Sequence, residues 1–207
     1  MDEPIKRNKI RIMKKLLLLM VLFLVLTNSQ SQQQVIKYPG YTSYFNTQTK
    51  IPDSVTWKIT QIHLTGQKTP RTNQFHSTGG RQNLKRDYEN SGYDQGHNSP
   101  YDDNYFSDSA EYQCFDYANM FPQRHLLNAQ PWELLEVYSR RLAFQYGHVN
   151  VKTSWSGVDK KIGVDSVVVP LYCIKEIWYD NGKYEKYVMP NKDTVIKHPY
   201  TYYSVKK

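Results

Sequence analysis

His97 ends the polar stretch Ser91-Gly92-Tyr93-Asp94-Gln95-Gly96-His97, where an imidazole neutral near pH 7 can accept a proton and the glycine before it permits a close backbone approach. Asn128 offers a neutral carboxamide oxygen, a donor suited to a hard cation such as magnesium that keeps most of its waters. If a helix starts near Asn128, residues 128, 132, 136 and 140 lie four apart on one slowly drifting stripe. Glu136 then sits two turns from Asn128, in reach of water around such a cation, and Arg140 a turn further on can meet an oxyanion. A base, a hard-cation oxygen, an outer carboxylate and a cation are the parts of a metal-assisted hydrolysis. Each also has a plainer role. Asn128 can be a helix cap, and Glu136 with Arg140 a surface ion pair worth about 0.3–0.5 kcal/mol. The lone histidines His63, His76, His125, His148 and His198 fit solvation or a local hydrogen bond. No His-x-x-x-His pair occurs, which argues against a hydrolase built on a histidine-bound transition metal.

These side chains need elements to hold them. Pro131 opens the clearest helix, with Trp132, Leu135, Leu142 and Tyr146 at helical spacing and Gly147 as its stop. Ser54 to His63 alternates Val55, Trp57 and Ile59 against Lys58 and Thr60, the pattern of a strand. From Thr65 to Ser99 turn-formers and charges dominate, including Gly79-Gly80, so the segment reads as irregular. Glu111 to Met120, rich in aromatics, reads as a strand. His148 to Ser154, Val164 to Tyr179 and Tyr184 to Met189 follow as strands, the last two around Asn181-Gly182, a two-residue hairpin signal. Helices and strands do not alternate regularly, so the expected fold is α+β: an antiparallel central sheet with flanking helices.

The whole chain, 207 residues with 39% apolar, 14% aromatic and 22% charged content, excludes disordered, collagen-like and coiled-coil classes and suits one globular domain. Its net charge of +8 looks like that of a polyanion binder. Much of that excess lies in residues 1–31, and removing them leaves 21 basic against 17 acidic residues, a net of +4. Removal is warranted because the basic N-terminus, the apolar run Leu16 to Leu26 and the small residues Ser29 and Ser31 read as a signal peptide over 1–31. The run is too short for a typical membrane span, so export to a secreted or periplasmic location, without stable membrane association, is expected. A linker over 32–51, with its Gln-rich start, and one domain over 52–207 complete the division. Cys114 and Cys173 either pair, in an oxidising compartment, or stay as separate buried thiols.

Two stretches carry a resemblance. Asp94-Gln95-Gly96-His97 is followed by Asn119-Met120-Phe121-Pro122-Gln123 and then by Leu127-Asn128-Ala129-Gln130-Pro131-Trp132-Glu133-Leu134-Leu135-Glu136. In this order they resemble the DNA/RNA non-specific endonuclease family with the ββα-metal motif, which includes the Serratia-type nuclease and mitochondrial endonuclease G. That family carries Asp-Arg-Gly-His, Asn-x-x-Pro-Gln and Leu-Asn-x-x-x-Trp-x-x-Leu-Glu. Val167 to Pro170, Ile174-Lys175 and Val188 to Asn191 look like its last strands, so the likeness spans roughly Pro52 to Val205. It implies a magnesium-dependent endonuclease, with manganese as a substitute, acting on DNA and RNA and leaving 5′-phosphates. By the same resemblance His97 is the general base, Asn128 the direct metal ligand, Glu136 a carboxylate holding metal waters, and Arg140 a phosphate contact. Asn119 shapes the site, and Lys58 takes the place of a family arginine that faces the phosphate. Gln95 stands where the family has arginine, which keeps hydrogen-bond donors but removes a charge. A module that binds nucleic acid with weakened turnover is the alternative this departure allows.

Overall fold

Apolar alternation along residues 51–59 and 149–151 produces the two strands at the centre of the molecule, with Val55, Trp57, Ile59, Val149 and Val151 all turned into the core. The computed structural model describes residues 14–15, 33–66, 68–78 and 85–205, and those from Gln33 on belong to one compact unit. In chain order they form β1 (Gln33–Lys37), β2 (Thr42–Asn46), β3 (Ile51–Thr60), α1 (Gln61–Thr65), α2 (Lys85–Tyr88), β4 (Asp94–His97), α3 (Asp108–Cys114), β5 (Met120–Gln123), α4 (Glu133–Tyr146), β6 (His148–Ile162), β7 (Val167–Tyr179) and β8 (Lys183–Pro190). Six strands make one antiparallel sheet in the order β1-β2-β3-β6-β7-β8, and β4 with β5 forms a separate two-stranded ribbon. The expected α+β class and antiparallel sheet are therefore observed.

Helix α4 lies against β6, β3 and β7. It buries Leu135, Ser139, Leu142 and Ala143, one stripe at three- and four-residue spacing. Before it the chain passes through a wide π-type turn over Asn128–Trp132 that contains Pro131. A proline has no N–H to give the preceding turn, so a regular α-helix cannot run through it. Gly147 ends the helix at φ 85°, a left-handed conformation favourable for glycine.

Four expectations change. From Gln33 on, the expected 32–51 linker is two strands of the main sheet, because β1 and β2 find antiparallel partners all the way to β3. Glu111 to Met120 is the end of a helix, a 3₁₀ turn and the first residue of β5. The Ser107 hydroxyl caps α3 by accepting from Ala110 N, and Asp108 and Glu111 sit in its first turn, a start signal that outweighs the aromatic content. The β3 strand stops at Thr60, whose hydroxyl accepts from His63 N and starts α1. The β7–β8 hairpin closes with three residues, Asp180–Gly182, with both end residues at positive φ. Cys114 and Cys173 are free and fully buried, so the two-thiol alternative is the one realised. The expected signal peptide, apart from Lys14 and Lys15, and the Gly79-Gly80 turn lie outside the described residues.

Candidate active site

The β4–β5 ribbon, the turn at Asn128 and helix α4 follow one another around a pocket of about 260 Å³ whose lining includes His97, Asn128, Glu136, Arg140 and Arg71. Strand β4 delivers His97 and pairs Gly96 with Phe121 and His97 with Met120. Gly96 has a steric reason: a Cβ there would stand 2.0 Å from the Gln123 carboxamide oxygen. The glycine of the first motif thus makes room for the glutamine of the second.

Below the pocket Trp132 donates its indole N–H to the His97 carbonyl at 3.2 Å, tying α4 to the ribbon. The His97 ring packs near Phe75 and edge-on to Phe115, with centroids 5.7 and 5.1 Å away. Burial there, reinforced by the nearby Arg71 cation, pushes the imidazole down to about 3, so it stays neutral as a base must. Asn119 does not reach the pocket. Fully buried, it accepts from Ser99 N at 2.9 Å and donates to the carbonyls of Ser99 and Cys114, both at 2.8 Å. It fixes the chain as it leaves His97, and is a positioning residue.

Asn128 donates through Nδ2 to Asp94 Oδ2 at 3.0 Å, and His125 Nδ1 donates to the same oxygen at 2.9 Å. Asp94, at the head of the His97 motif, therefore engages the amide nitrogen of Asn128 and leaves its carbonyl oxygen available as a donor. Neutral amide and carboxylate oxygens in one polar pocket are the ligand chemistry of a hard divalent cation, so the residues fit such an ion. Among the described residues no three His, Cys, Asp or Glu side chains cluster as an all-protein cage.

Glu136 points into the pocket from α4, two turns after Asn128 as its spacing required. Burial pushes its carboxyl up to about 7, against the pull of Lys175, whose ammonium lies 3.8 Å from Oε1. Lys175 comes from β7, is fully buried, and sits 4.3 Å above the Trp132 ring. Burial lowers its own pKa. Arg140 lines the pocket, but its guanidinium is held by Asp103 at 3.2 Å and Asp102 at 3.3 Å. Asp103 also accepts from Trp57 Nε1 at 2.8 Å.

One more placement differs from the sequence reading. Lys58 is not in the pocket. Strand alternation turns Trp57 inward to Asp103 and Lys58 to the opposite face of the sheet. The cation that does face His97 is Arg71, which makes no ion pair among the described residues and lies over the rings of Tyr101 and Phe115 at 5.3 and 5.4 Å. It sits in the irregular stretch before β4, where no periodicity points to it. Gln95 borders an adjoining hollow of about 410 Å³ that shares Arg71, His97 and Asn128 with the pocket, and it donates to the Tyr117 hydroxyl at 3.0 Å.

Comparison with known proteins points to one family. The model of the DNA/RNA non-specific endonuclease family matches residues 22–207. A mitochondrial nuclease of Xenopus laevis, EXOG, is 30% identical over 129 residues, 54% of this chain and 36% of that protein. The chain thus spans about a third of the length of that relative. Among solved structures, a crystal structure of the EndoG/EndoGI complex superposes with a TM-score of 0.74 at 25% identity, covering 83% of this chain and 80% of the other.

Proposed function

The chain belongs to the DNA/RNA non-specific endonuclease family, and on that premise we propose that it is an exported, magnesium-dependent endonuclease hydrolysing phosphodiester bonds of DNA and RNA. The observation that carries the reading is the convergence on one pocket of a neutral His97, the Asn128 carboxamide and Arg71, which makes no ion pair among the described residues. In this reading His97 takes the proton of the attacking water, which needs no ribose 2′-hydroxyl and so permits both nucleic acids. Arg71 meets the charge that grows on the phosphate oxygens. Asp94 holds Asn128 in orientation, Trp132 holds the His97 carbonyl, and Asn119 holds the backbone of Ser99 two residues on. Arg140 lines the pocket wall with its charge met by Asp102 and Asp103. Asn128 would hold a divalent cation and Glu136 would engage its waters, and such an ion would supply Lewis-acid stabilisation of the departing 3′ oxygen, which corresponds to 5′-phosphate products. Export rests on the basic and apolar N-terminus.

The test is incubation of the purified protein with supercoiled plasmid and with ribosomal RNA, in magnesium and in chelator. Nicking and degradation of both substrates in magnesium alone support the proposal. Binding without cleavage in magnesium refutes it in favour of the binding module that the Gln95 departure suggests.

A further inference from the structure

We propose that a cleft on the sheet, outside the catalytic pocket, binds a single strand of nucleic acid, with Lys58 and Lys152 holding phosphates and Trp178 and Tyr38 offering ring faces to bases. This inference rests on the nuclease reading above. The cleft has a volume of about 490 Å³. Its floor follows from strand register. Lys58 on β3 pairs with Asn150 on β6, which pairs with Trp178 on β7, and the next outward row runs Thr56, Lys152, Glu176. These residues alternate with the core-facing Trp57, Val151 and Ile177, so the row of side chains stands on the outer face. The turn between β1 and β2 makes one wall, where Tyr38 lies against Tyr41 with centroids 4.6 Å apart.

Charge decides the occupant. Lys58 and Lys152 make no ion pair among the described residues, although Glu176 is the cross-strand partner of Lys152. The Glu176 carboxylate is taken instead by the Tyr184 hydroxyl, which donates to it at 2.5 Å. The ring of Tyr184 in turn supports Trp178 at 5.2 Å. Two ammonium groups outside any ion pair among the described residues, beside partly exposed aromatic rings, suit a polyanion with flat bases, which is the chemistry of a single strand. Lys58, which does not reach the pocket, thereby acquires a role on the opposite face.

Fluorescence anisotropy of a fluorescein-labelled 20-nucleotide oligothymidylate, in chelator so that nothing is cut, tests the cleft. The double variant Lys58→Gln/Lys152→Gln is expected to bind about tenfold more weakly, with the slope of log affinity against log salt flattened by about 1.4 for two lost phosphate contacts. Trp178→Ala is expected to weaken binding by about tenfold with the salt slope kept, and Trp178→Phe to restore most of it. Affinity and slope unchanged in all three, while the wild-type protein degrades plasmid in magnesium, overturn the cleft and leave the nuclease reading standing. Wild-type protein that neither binds the oligonucleotide nor degrades plasmid overturns both. A loss of self-association in sedimentation with unchanged oligonucleotide affinity also overturns the proposal, because the cleft is then a face between two copies.

Discussion

Burial beside Phe75 and Phe115, with Arg71 nearby, keeps the His97 imidazole uncharged far below the usual histidine range. In metal-free protein its ring resonances are therefore expected not to shift between about pH 5 and 8, and a histidine-like transition there would contradict this environment. The acid limb of cleavage then belongs to Glu136. Its carboxyl is raised to about 7, so its charge is lost as pH falls through that value. kcat/KM is expected to decline below neutrality in the wild type, and Glu136→Gln to give a lower, flatter profile. A limb unchanged in that variant would assign it elsewhere. His97→Ala should lower the rate by about two orders of magnitude or more while oligonucleotide binding persists. Arg71→Ala should cost about 100-fold in kcat with partial recovery in Arg71→Lys, because it removes charge aimed at the phosphate. Single-turnover kinetics measures both, and near-normal rates would remove His97 as base or Arg71 as phosphate contact.

Helix α4 and strands β7 and β8 are locked together by buried and half-buried polar groups as well as by apolar packing. Lys175 sets a positive charge under the Glu136 carboxylate and against Trp132. A second tie is Glu185, which accepts from the hydroxyls of Tyr138 at 3.0 Å, Tyr179 at 2.5 Å and Tyr187 at 2.5 Å. The two differ in what their loss leaves behind. Lys175→Met strands a buried carboxylate without its cation and is expected to cost about 3–5 kcal/mol in urea unfolding. Tyr138→Phe removes one of three donors to a satisfied carboxylate and should cost about 1 kcal/mol. Equal effects would mean that Lys175 contributes only its packing.

For the whole molecule, cohesion comes from one core without covalent cross-links among the described residues, since both cysteines are free and buried. Burial pushes the Cys173 thiol up to about 12 and the Cys114 thiol further in the same direction, so neither forms thiolate at neutral pH. The melting temperature is therefore expected to be the same with and without reductant. A thiol reagent should label the protein only as it unfolds, and rapid labelling of the native state or a reductant-sensitive melting curve would reveal a different cysteine arrangement.

Local chemistry was legible in the amino-acid order. His97, Asn128 and Glu136, singled out by motif and spacing, line one pocket because their relation runs through one ribbon and one helix. Pro131 and Gly147 bound that helix for reasons internal to proline and glycine. The alternation of β3 also showed that Lys58 and Trp57 face opposite ways, but not which way the site lay. Only the tertiary structure decided that Trp57 meets Asp103, the carboxylate that holds Arg140, while Lys58 stands on the far face, and that Arg71 rather than a strand lysine faces His97. It likewise turned 33–46 from linker into sheet, and placed Lys175 under Glu136 across 39 residues of chain. In each case the deciding partner is remote in sequence, and the free energy of strand pairing or charge burial depends on where the rest of the chain goes, which periodicity within one segment does not encode.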